Sequence, residues 1–256
     1  MQSAPRALIV GLGLVGGSIG IALRARGWRI AFFDPKVSLD EAKRANAADE
    51  KLESLGGADL TVLATPVDVA VNLLSTQSSV LSPVTSACSV MEPLTRLGVS
   101  SFIAGHPLAG SQKRGLAAAR GDLFQQRVWF VDREDPLVRR MIVDCGARME
   151  IVSPDEHDAA MALTSHLPQV LSTALAACLE QHGIEDRFVG EGLRTFLRLA
   201  GSDGSVWMPV VTANSKRIAP HAEAVAKIVR EILAGDAAAF ERAQRLWARL
   251  LSSAPR

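Results

Sequence analysis

The stretch 7-ALIVGLGLVGGSIGIALRARG-27 decides the fold of the N-terminal half of this chain. It begins with four apolar residues that are typical of a buried strand, and it ends in a helical pattern. Between them lies a GxGxxG sequence formed by Gly11, Gly13 and Gly16. Such glycines allow a tight turn, close approach of the backbone to a pyrophosphate, and close packing of helix on strand. The stretch therefore predicts a strand, a phosphate-binding loop and a helix.

The residues around this loop also predict the cofactor. Leu14 and Val15 open the helix, whose N-terminal N–H groups and positive dipole end attract phosphates. Asp34 ends the second apolar run, where a carboxylate accepts hydrogen bonds from ribose hydroxyls and repels a 2′-phosphate. We therefore expect NAD rather than NADP. The nearby Lys36 works against this preference, because a basic side chain can partly accommodate the 2′-phosphate of NADP.

Short apolar runs alternate with helical patterns up to about residue 152, and several runs are apolar on both faces. Strands of a parallel sheet that is covered by helices on both sides have this character. We predict a Rossmann-type doubly wound α/β domain over residues 1–153. The predicted strands are ALIV (7–10), RIAFF (29–33), DLTVLA (59–64), VTSAC (84–88), SFIAG (101–105), RVWFV (127–131) and RMEIV (148–152).

No β-rich run follows residue 153, so we predict an all-helical domain over residues 154–256. Its first helix, about 155–181, is apolar around most of its circumference, which predicts deep burial and favours contact with a second subunit. Pro168 is expected to kink this helix and free nearby carbonyl groups. Two further helices are predicted near 215–234 and 237–252. We expect no fused regulatory domain after them.

Composition excludes several classes of function. Of 256 residues, 48% are hydrophobic and 21% charged, and the net charge is +1, so neither a nucleic-acid partner nor a membrane surface is expected. The three cysteines lack CxxC spacing, which argues against a disulfide framework or a zinc site, and we expect no metal. The first apolar run is too short to span a bilayer and has no signal-peptide cleavage pattern. We expect a cytoplasmic protein.

The stretch 101-SFIAGHPLAGSQKRG-115 contains the best candidate for a catalytic group. His106 follows the predicted fifth strand and Ser89 the fourth, and carboxyl ends of parallel strands meet at one sheet edge. A neutral imidazole there can accept the proton of a substrate hydroxyl as hydride leaves the same carbon. Ser89 would add a hydrogen bond to that hydroxyl. The alternative is that His106 only bonds to backbone at the strand end.

Two further positions are expected at the same edge. Thr65 and Pro66 end the third predicted strand, and we expect them to line the nicotinamide end of the cleft. His166, in SHLPQ beside Pro168, is expected either to form a substrate wall at the kink or to pack in the core.

Five segments carry a resemblance: GLGLVGGS, CSV, HPLAGSQKRGLAAARGDLF, HDAAMALTSHLPQ and GLRTFLRLAGSDGSVW. In order and spacing they resemble the prephenate and arogenate dehydrogenases of tyrosine biosynthesis. The resemblance implies an NAD-dependent oxidative decarboxylation, of prephenate to 4-hydroxyphenylpyruvate or of arogenate to tyrosine, with His106 polarising the ring hydroxyl. It also implies a homodimer formed through the helical domain.

The resemblance implies substrate-binding residues as well. Arg198 matches the arginine that grips a substrate carboxylate, a task that suits a planar guanidinium. His166, Gln169 and Ser111 are expected beside the substrate. Arg194, one turn before Arg198, is a weaker candidate, and the loop cations at positions 113 and 114 are others.

The chain departs from the family pattern at four positions. Ser86 and Met91 replace an aspartate and a lysine, Thr195 replaces an aspartate, and Gln169 stands where many members have a second histidine. These departures keep one alternative open, a non-catalytic NAD-binding sensor or paralogue. Another alternative, a small-acid dehydrogenase of similar layout, would want a lysine in the helix over 155–181, and that stretch contains none.

Overall fold

The computed structural model describes residues 4–80, 83–110 and 113–252. Six parallel strands form the main sheet in the order β3-β2-β1-β4-β5-β6. The chain turns back at β1, so β1 and β4 flank the switch point where such sheets bind ligands. The Rossmann-type fold is therefore confirmed. The strands are β1 (Arg6–Val10), β2 (Arg29–Phe33), β3 (Glu50–Lys51), β4 (Leu60–Leu63), β5 (Val84–Ser86) and β6 (Phe102–Ile103).

Both faces of this sheet are buried. Alternate residues of β1 pack into two separate clusters, with Ala7 and Ile9 in one and Leu8 and Val10 in the other. This two-sided burial explains why the strands are apolar throughout rather than alternating. The helices of this domain are α1 (Leu14–Arg24), α2 (Leu39–Arg44), α3 (Val67–Gln77), α4 (Glu92–Thr95) and α5 (Pro136–Asp144).

The last strands correct the prediction of a single sheet. β7 (Gly105–Pro107), β8 (Val128–Val131) and β9 (Arg148–Ile151) form a second, three-stranded sheet. In it β7 and β8 are antiparallel, with His106 opposite Phe130. The run SFIAG therefore does not form one strand, because the chain passes from one sheet to the other at Ala104. The sequence prediction also missed β3, whose two residues are charged and show no apolar pattern.

The remainder of the described chain is helical, as predicted. The long first helix consists of α6 (Pro154–Met161), a π-helical turn (Ala162–His166) and α7 (Leu167–Gln181). Near Pro168, where the sequence predicts a kink, the structure has this π turn, which ends at His166, two residues before the proline. The sequence prediction missed α9 (Gly204–Ala213), and it gave no bounds for α8 (Glu191–Leu197), although it placed Arg194 one helical turn before Arg198. It found α10 (Ser215–Leu233) and α11 (Ala238–Ser252), which are separated by Gly235 at φ +97°.

The expectation of deep burial for the long helix is wrong within a single chain. In α7 only Leu167, Gln169 and Ser172 are buried. By length and composition alone the run Pro154–Gln181 could cross a membrane, with 28% of its most apolar window buried, but core helices of soluble proteins pass the same test. Large apolar side chains are exposed elsewhere in this half of the chain too, for example Phe196 and Trp247.

Candidate active site

A cleft of about 660 Å³ opens at the switch point of the main sheet and is closed on one side by the helical part of the chain. Its floor comes from the glycine loop and from the segments that follow β4, β5 and β7. Its helical wall includes Ser165, at the π turn, and residues at the start of α9. The cleft is lined by Gly13, Leu14, Val15, Ala64, Thr65, Pro66, Val67, Ala87, Cys88, Ser89, His106, Pro107, Leu108, Ala109, Gly110, Lys113, Arg114, Gly115, Ser165, Ser202, Asp203, Val206, Trp207 and Val210.

The three glycines of the loop occupy three different environments. Gly11 has φ +90°, and a Cβ there would lie 2.7 Å from the carbonyl oxygen of Ala64. A Cβ on Gly16 would lie 2.0 Å from the carbonyl oxygen of Gly11. A Cβ on Gly13, by contrast, would meet nothing within 4 Å. The protein's own structure thus requires glycine at positions 11 and 16. At Gly13, by contrast, the missing side chain leaves open space that faces the cleft.

The start of α1 can receive an anion. Gly13 is its N-cap and provides no side-chain hydrogen bond, so first-turn N–H groups lack a capping side chain. Asp34 lies beside this loop, at the end of β2, and is half-buried. Its carboxylate accepts hydrogen bonds from the main-chain N–H groups of Leu12 and Lys36, each at 2.8 Å. Asp34 therefore shapes the glycine loop, because its carboxylate holds the main chain on both sides of the turn.

The structure brings the predicted nicotinamide-end and catalytic residues together. Thr65 and Pro66 follow β4, Ser89 follows β5, and His106 lies in β7, and all four line the cleft. His106 is only 8% exposed, and its Nδ1 lies 2.9 Å from Nε2 of His157. Because the ring of His106 contacts another side chain, the alternative in which it bonds only to the backbone is wrong.

Burial keeps two histidines of this region neutral. Desolvation, with a smaller effect from His157, lowers the pKa of His106 to about 3. Desolvation likewise lowers the pKa of His166 to about 4, although Asp158 opposes the shift. At neutral pH His106 is therefore an uncharged imidazole at the cleft, the form that can accept a proton.

These shifts predict how stability depends on pH. Both folded-state pKa values lie below the unfolded value of about 6.5, so below that pH the unfolded chain binds protons that the folded chain does not. The unfolding free energy should fall by up to about 1.4 kcal/mol per pH unit for each histidine between pH 6.5 and 4. Chemical denaturation at several pH values measures this slope. A slope that His106→Asn leaves unchanged would contradict the assignment to His106.

His166 and Gln169 are buried beside the cleft rather than in it. Nδ1 of His166 lies 3.0 Å from the amide nitrogen of Asn214. The side-chain amide of Gln169 donates to the hydroxyl of Thr173 and to the carbonyl oxygen of Leu199. Neither residue belongs to the cleft lining within the described parts of the chain, so the structure gives both a supporting position behind its wall.

The cations are distributed differently from the prediction. Arg198 is exposed and starts the turn Arg198–Gly201, next to the cleft residues Ser202 and Asp203, but it is not one of the described residues that line the cleft. Lys113 and Arg114 do line it, and Arg114 forms an ion pair with Asp203 at 2.6 Å.

Arg194 does not belong to this arrangement. Arg194 is exposed and its Nε lies 4.0 Å from Glu191. Ser111 lies outside the described residues.

Three of the four positions that depart from the family pattern are Ser86, Met91 and Thr195, and each has a different environment. The hydroxyl of Ser86 donates to the carbonyl oxygen of Gly105 and accepts from its N–H, which ties β5 to β7. Met91 is fully buried in the core, where a charged lysine would be costly. Thr195 is exposed on α8.

Sequence reasoning missed the residues behind His106. His157 and Asp158 are both buried at the start of the long helix, and Nδ1 of His157 lies 2.7 Å from Oδ1 of Asp158. Asn214, which joins α9 to α10, donates to the carbonyl oxygen of Asp158 at 2.7 Å. The signal in the sequence was the adjacent His-Asp pair that begins HDAAMALTSHLPQ, one of the five segments that carry the family resemblance. Within the described residues, no group of three or more His, Cys, Asp or Glu side chains could hold a metal ion.

The fold and the cleft together define a two-domain protein of the dehydrogenase type, with a nucleotide-binding Rossmann domain followed by a helical domain. Residues 19–149 match the family model described as "Prephenate dehydrogenase, nucleotide-binding domain", and residues 153–242 match "Prephenate dehydrogenase, dimerization domain". The chain belongs to the prephenate dehydrogenase family.

Individual relatives agree with this membership. The chain is 28% identical to the prephenate dehydrogenase of Lactococcus lactis over 81% of its own length, and it spans 64% of that relative's length. A crystal structure of prephenate dehydrogenase from A. aeolicus in complex with hydroxyphenyl propionate and NAD+ superposes with a TM-score of 0.85 at 25% identity, covering 98% of this chain and 99% of that one. For Synechocystis arogenate dehydrogenase the TM-score is 0.72 at 26% identity, with 94% and 96% coverage.

Proposed function

We propose that this chain is an NAD-dependent dehydrogenase that oxidises and decarboxylates prephenate, arogenate or both. Family membership supports the reaction class. The observation that carries the proposal is the position of His106, an uncharged imidazole at the edge of a cleft that also contains the glycine loop. A base in this position can act on a hydroxyl whose carbon faces a nicotinamide.

The proposed cofactor fits the residues present. The open space at Gly13 and the uncapped start of α1 suit a pyrophosphate, which helix N-termini bind well. Asp34, with its carboxylate at the end of β2, favours ribose hydroxyls over a 2′-phosphate, which supports NAD over NADP. The NAD+ in the A. aeolicus structure gives further support. When bound, NAD supplies the hydride acceptor.

The proposed role of His106 follows from the balance of the reaction. As the hydroxyl-bearing ring carbon loses a hydride, His106 accepts the hydroxyl proton, and Ser89 donates a hydrogen bond to the same oxygen. Loss of the ring carboxylate as CO₂ leaves an electron pair that completes the aromatic ring. The proton then returns from His106 to the phenol oxygen, so no net proton is released. At neutral pH the imidazole of His106 is uncharged, so it has the lone pair that this transfer requires.

The rest of the cleft suits a ring that bears carboxylates. Leu108, Val206 and Trp207 offer an apolar wall for the ring, and Lys113 and Arg114 are cations on the same lining. We propose that these cations share the binding of substrate carboxylates with Arg198, which begins the turn Arg198–Gly201 that leads into the lining residue Ser202. His166 and Gln169 support the wall from behind.

We also propose that the chain forms a homodimer through its helical part. The match of residues 153–242 to a dimerization domain supports this, and so does the apolar surface that a single chain leaves exposed. On α11, Phe240, Trp247 and Leu251 are spaced to share one helical face, and all three are more than half exposed. We assign the apolar helix Pro154–Gln181 to the same dimer core rather than to a membrane, because it contains the buried pair His157 and Asp158.

A charge on this face of α11 should weaken the dimer. Trp247→Glu places a carboxylate in an apolar contact, where an unpaired charge is costly, so light scattering should show a shift from dimer to monomer. Arg249→Glu, on the opposite side of the same helix, is the matched control and should leave the mass at that of a dimer. A wild-type protein that has the mass of one chain would contradict the dimer proposal.

The activity is tested by incubating purified protein with NAD and, separately, prephenate or arogenate. NADH is followed by its absorbance at about 340 nm. The proposal expects NADH formation with at least one of the two substrates. NAD binding without turnover of either substrate would instead favour a non-catalytic sensor.

A further inference from the structure

We propose that His157 and Asp158 are positioning residues that hold His106 in the tautomer with its proton on Nδ1 and a lone pair on Nε2. They form a buried hydrogen-bonded chain that runs from Asp158 through His157 to His106. The inference rests on the proposed function, because it assigns these residues a role in the same reaction. Neither residue lines the cleft within the described parts of the chain, so neither is placed to touch the substrate itself, whereas His106, which His157 contacts, does line it.

Asp158, at one end of this hydrogen-bonded chain, is held firmly in place. Asp158 is 1% exposed, and its two carboxylate oxygens accept hydrogen bonds from the main-chain N–H groups of Met91 and Glu92, each at 2.9 Å. Burial raises the pKa of Asp158, but hydrogen bonds from His157, Glu92 and Met91 outweigh it and the net shift is downward. An ionised carboxylate has no proton to donate, so it can only accept a hydrogen bond from His157.

Because Asp158 can only accept, the donor and the acceptor of each following hydrogen bond are determined in turn. Nδ1 of His157, 2.7 Å from Asp158, must carry the proton of that bond. In its neutral form, His157 then has a lone pair on Nε2, which lies 2.9 Å from Nδ1 of His106. That lone pair can only accept, so Nδ1 of His106 carries its proton and Nε2 does not. The two rings meet edge to face at 86°, with their centroids 5.1 Å apart.

The consequence for catalysis is specific. A neutral imidazole presents either an N–H or a lone pair at a given nitrogen, and only a lone pair can accept the substrate's hydroxyl proton. With Nδ1 held as the donor to His157, the Nε2 lone pair is the one available to the substrate. When Nε2 takes up the proton, the charged ring keeps its hydrogen bond to His157, which in turn remains bonded to a carboxylate. The proton later leaves from the same Nε2 atom. His157 and Asp158 therefore neither lose nor gain a proton during the reaction.

Nitrogen-15 NMR of the histidine rings tests the inference without any turnover. The His106 signal is assigned by its absence in His106→Asn. At neutral pH it should show Nδ1 protonated and Nε2 unprotonated. The opposite tautomer, or a fast average of both in the wild-type protein, would overturn the inference even if the enzyme turns over both substrates.

Two variants at His157 separate positioning from packing. His157→Gln offers an amide oxygen near the position of Nε2 and should keep the His106 tautomer and kcat within about threefold. His157→Leu removes the acceptor and leaves the buried N–H of His106 unpaired, which corresponds to a roughly 10- to 100-fold lower kcat. The affinity for NAD and the substrate KM should stay close to wild type in both variants.

The kinetic outcomes distinguish the two proposals. A wild-type enzyme that turns over, together with a Leu variant of equal kcat, would overturn the positioning role and leave the proposed function intact. Equal losses in the Gln and Leu variants would also overturn it, because packing alone would then account for the effect. A wild-type protein without turnover refutes the proposed function, and the NMR result then decides whether the hydrogen-bonded chain sets the tautomer.

Discussion

A His106→Asn variant is expected to lose a factor of about 10² to 10⁴ in kcat, the range that removal of a general base causes. Asparagine keeps a polar side chain beside His157 but has no nitrogen lone pair that can accept a hydroxyl proton. NADH formation at saturating substrate measures the effect. The affinity for NAD should not change, because the glycine loop and Asp34 are untouched.

The control for this variant is Ser89→Ala, which lies in the same cleft. It removes only a second hydrogen bond to the hydroxyl, so kcat should fall by about tenfold or less. If His106→Asn retained turnover similar to that of Ser89→Ala, His106 would not be the base. Thermal unfolding of both variants shows whether a loss of activity arises from a loss of fold.

The second large effect is a contrast between two glycines of the same loop. Gly16→Ala would place a Cβ 2.0 Å from a carbonyl oxygen of the loop, so the chain must shift, and we expect a loss of about 3 kcal/mol or more in unfolding free energy. Gly13→Ala meets no atom within 4 Å and should unfold as wild type does, within about 0.5 kcal/mol. It should nonetheless raise the Kd for NAD by at least about tenfold, because the new methyl group occupies the approach of the pyrophosphate.

Calorimetry of the free proteins and titration with NAD measure the two effects separately. For a chain of this size, a loss of 3 kcal/mol lowers Tm by roughly 6 to 12 °C. Normal NAD affinity in Gly13→Ala would contradict the proposed pyrophosphate site. Normal stability in Gly16→Ala would contradict the packing of α1 on the loop.

The local patterns of the sequence predicted most of the main sheet, because the buried strands of a parallel sheet are apolar on both faces and the glycine loop has few alternative conformations. Prediction was weaker where structure depends on contacts between distant residues. The pairing of Gly105–Pro107 with Val128–Val131 depends on residues more than 20 positions apart, and nothing in either run specifies an antiparallel partner. The charged pair Glu50–Lys51 forms a strand only because β2 lies beside it.

The candidate site shows the same division. The glycine loop, Thr65, Ser89 and His106 were predicted because each directly follows a strand or lies in a motif. The contact between His106 and His157 joins residues 51 positions apart, and it depends on how the helical part packs against the sheet. The placement of Arg198 outside the described lining of the cleft likewise depends on the course of the turn after α8, which has no apolar periodicity.

The measurement that tests the central claim most directly is the ratio of CO₂ released to NADH formed when the protein acts on prephenate and on arogenate. The account predicts equal amounts of both, together with an aromatic product, and loss of both products in His106→Asn. NADH formed without CO₂ would show oxidation of an alcohol alone and would contradict the proposed decarboxylation. Failure to form NADH from either substrate, with NAD bound, would contradict the proposed enzyme activity as a whole.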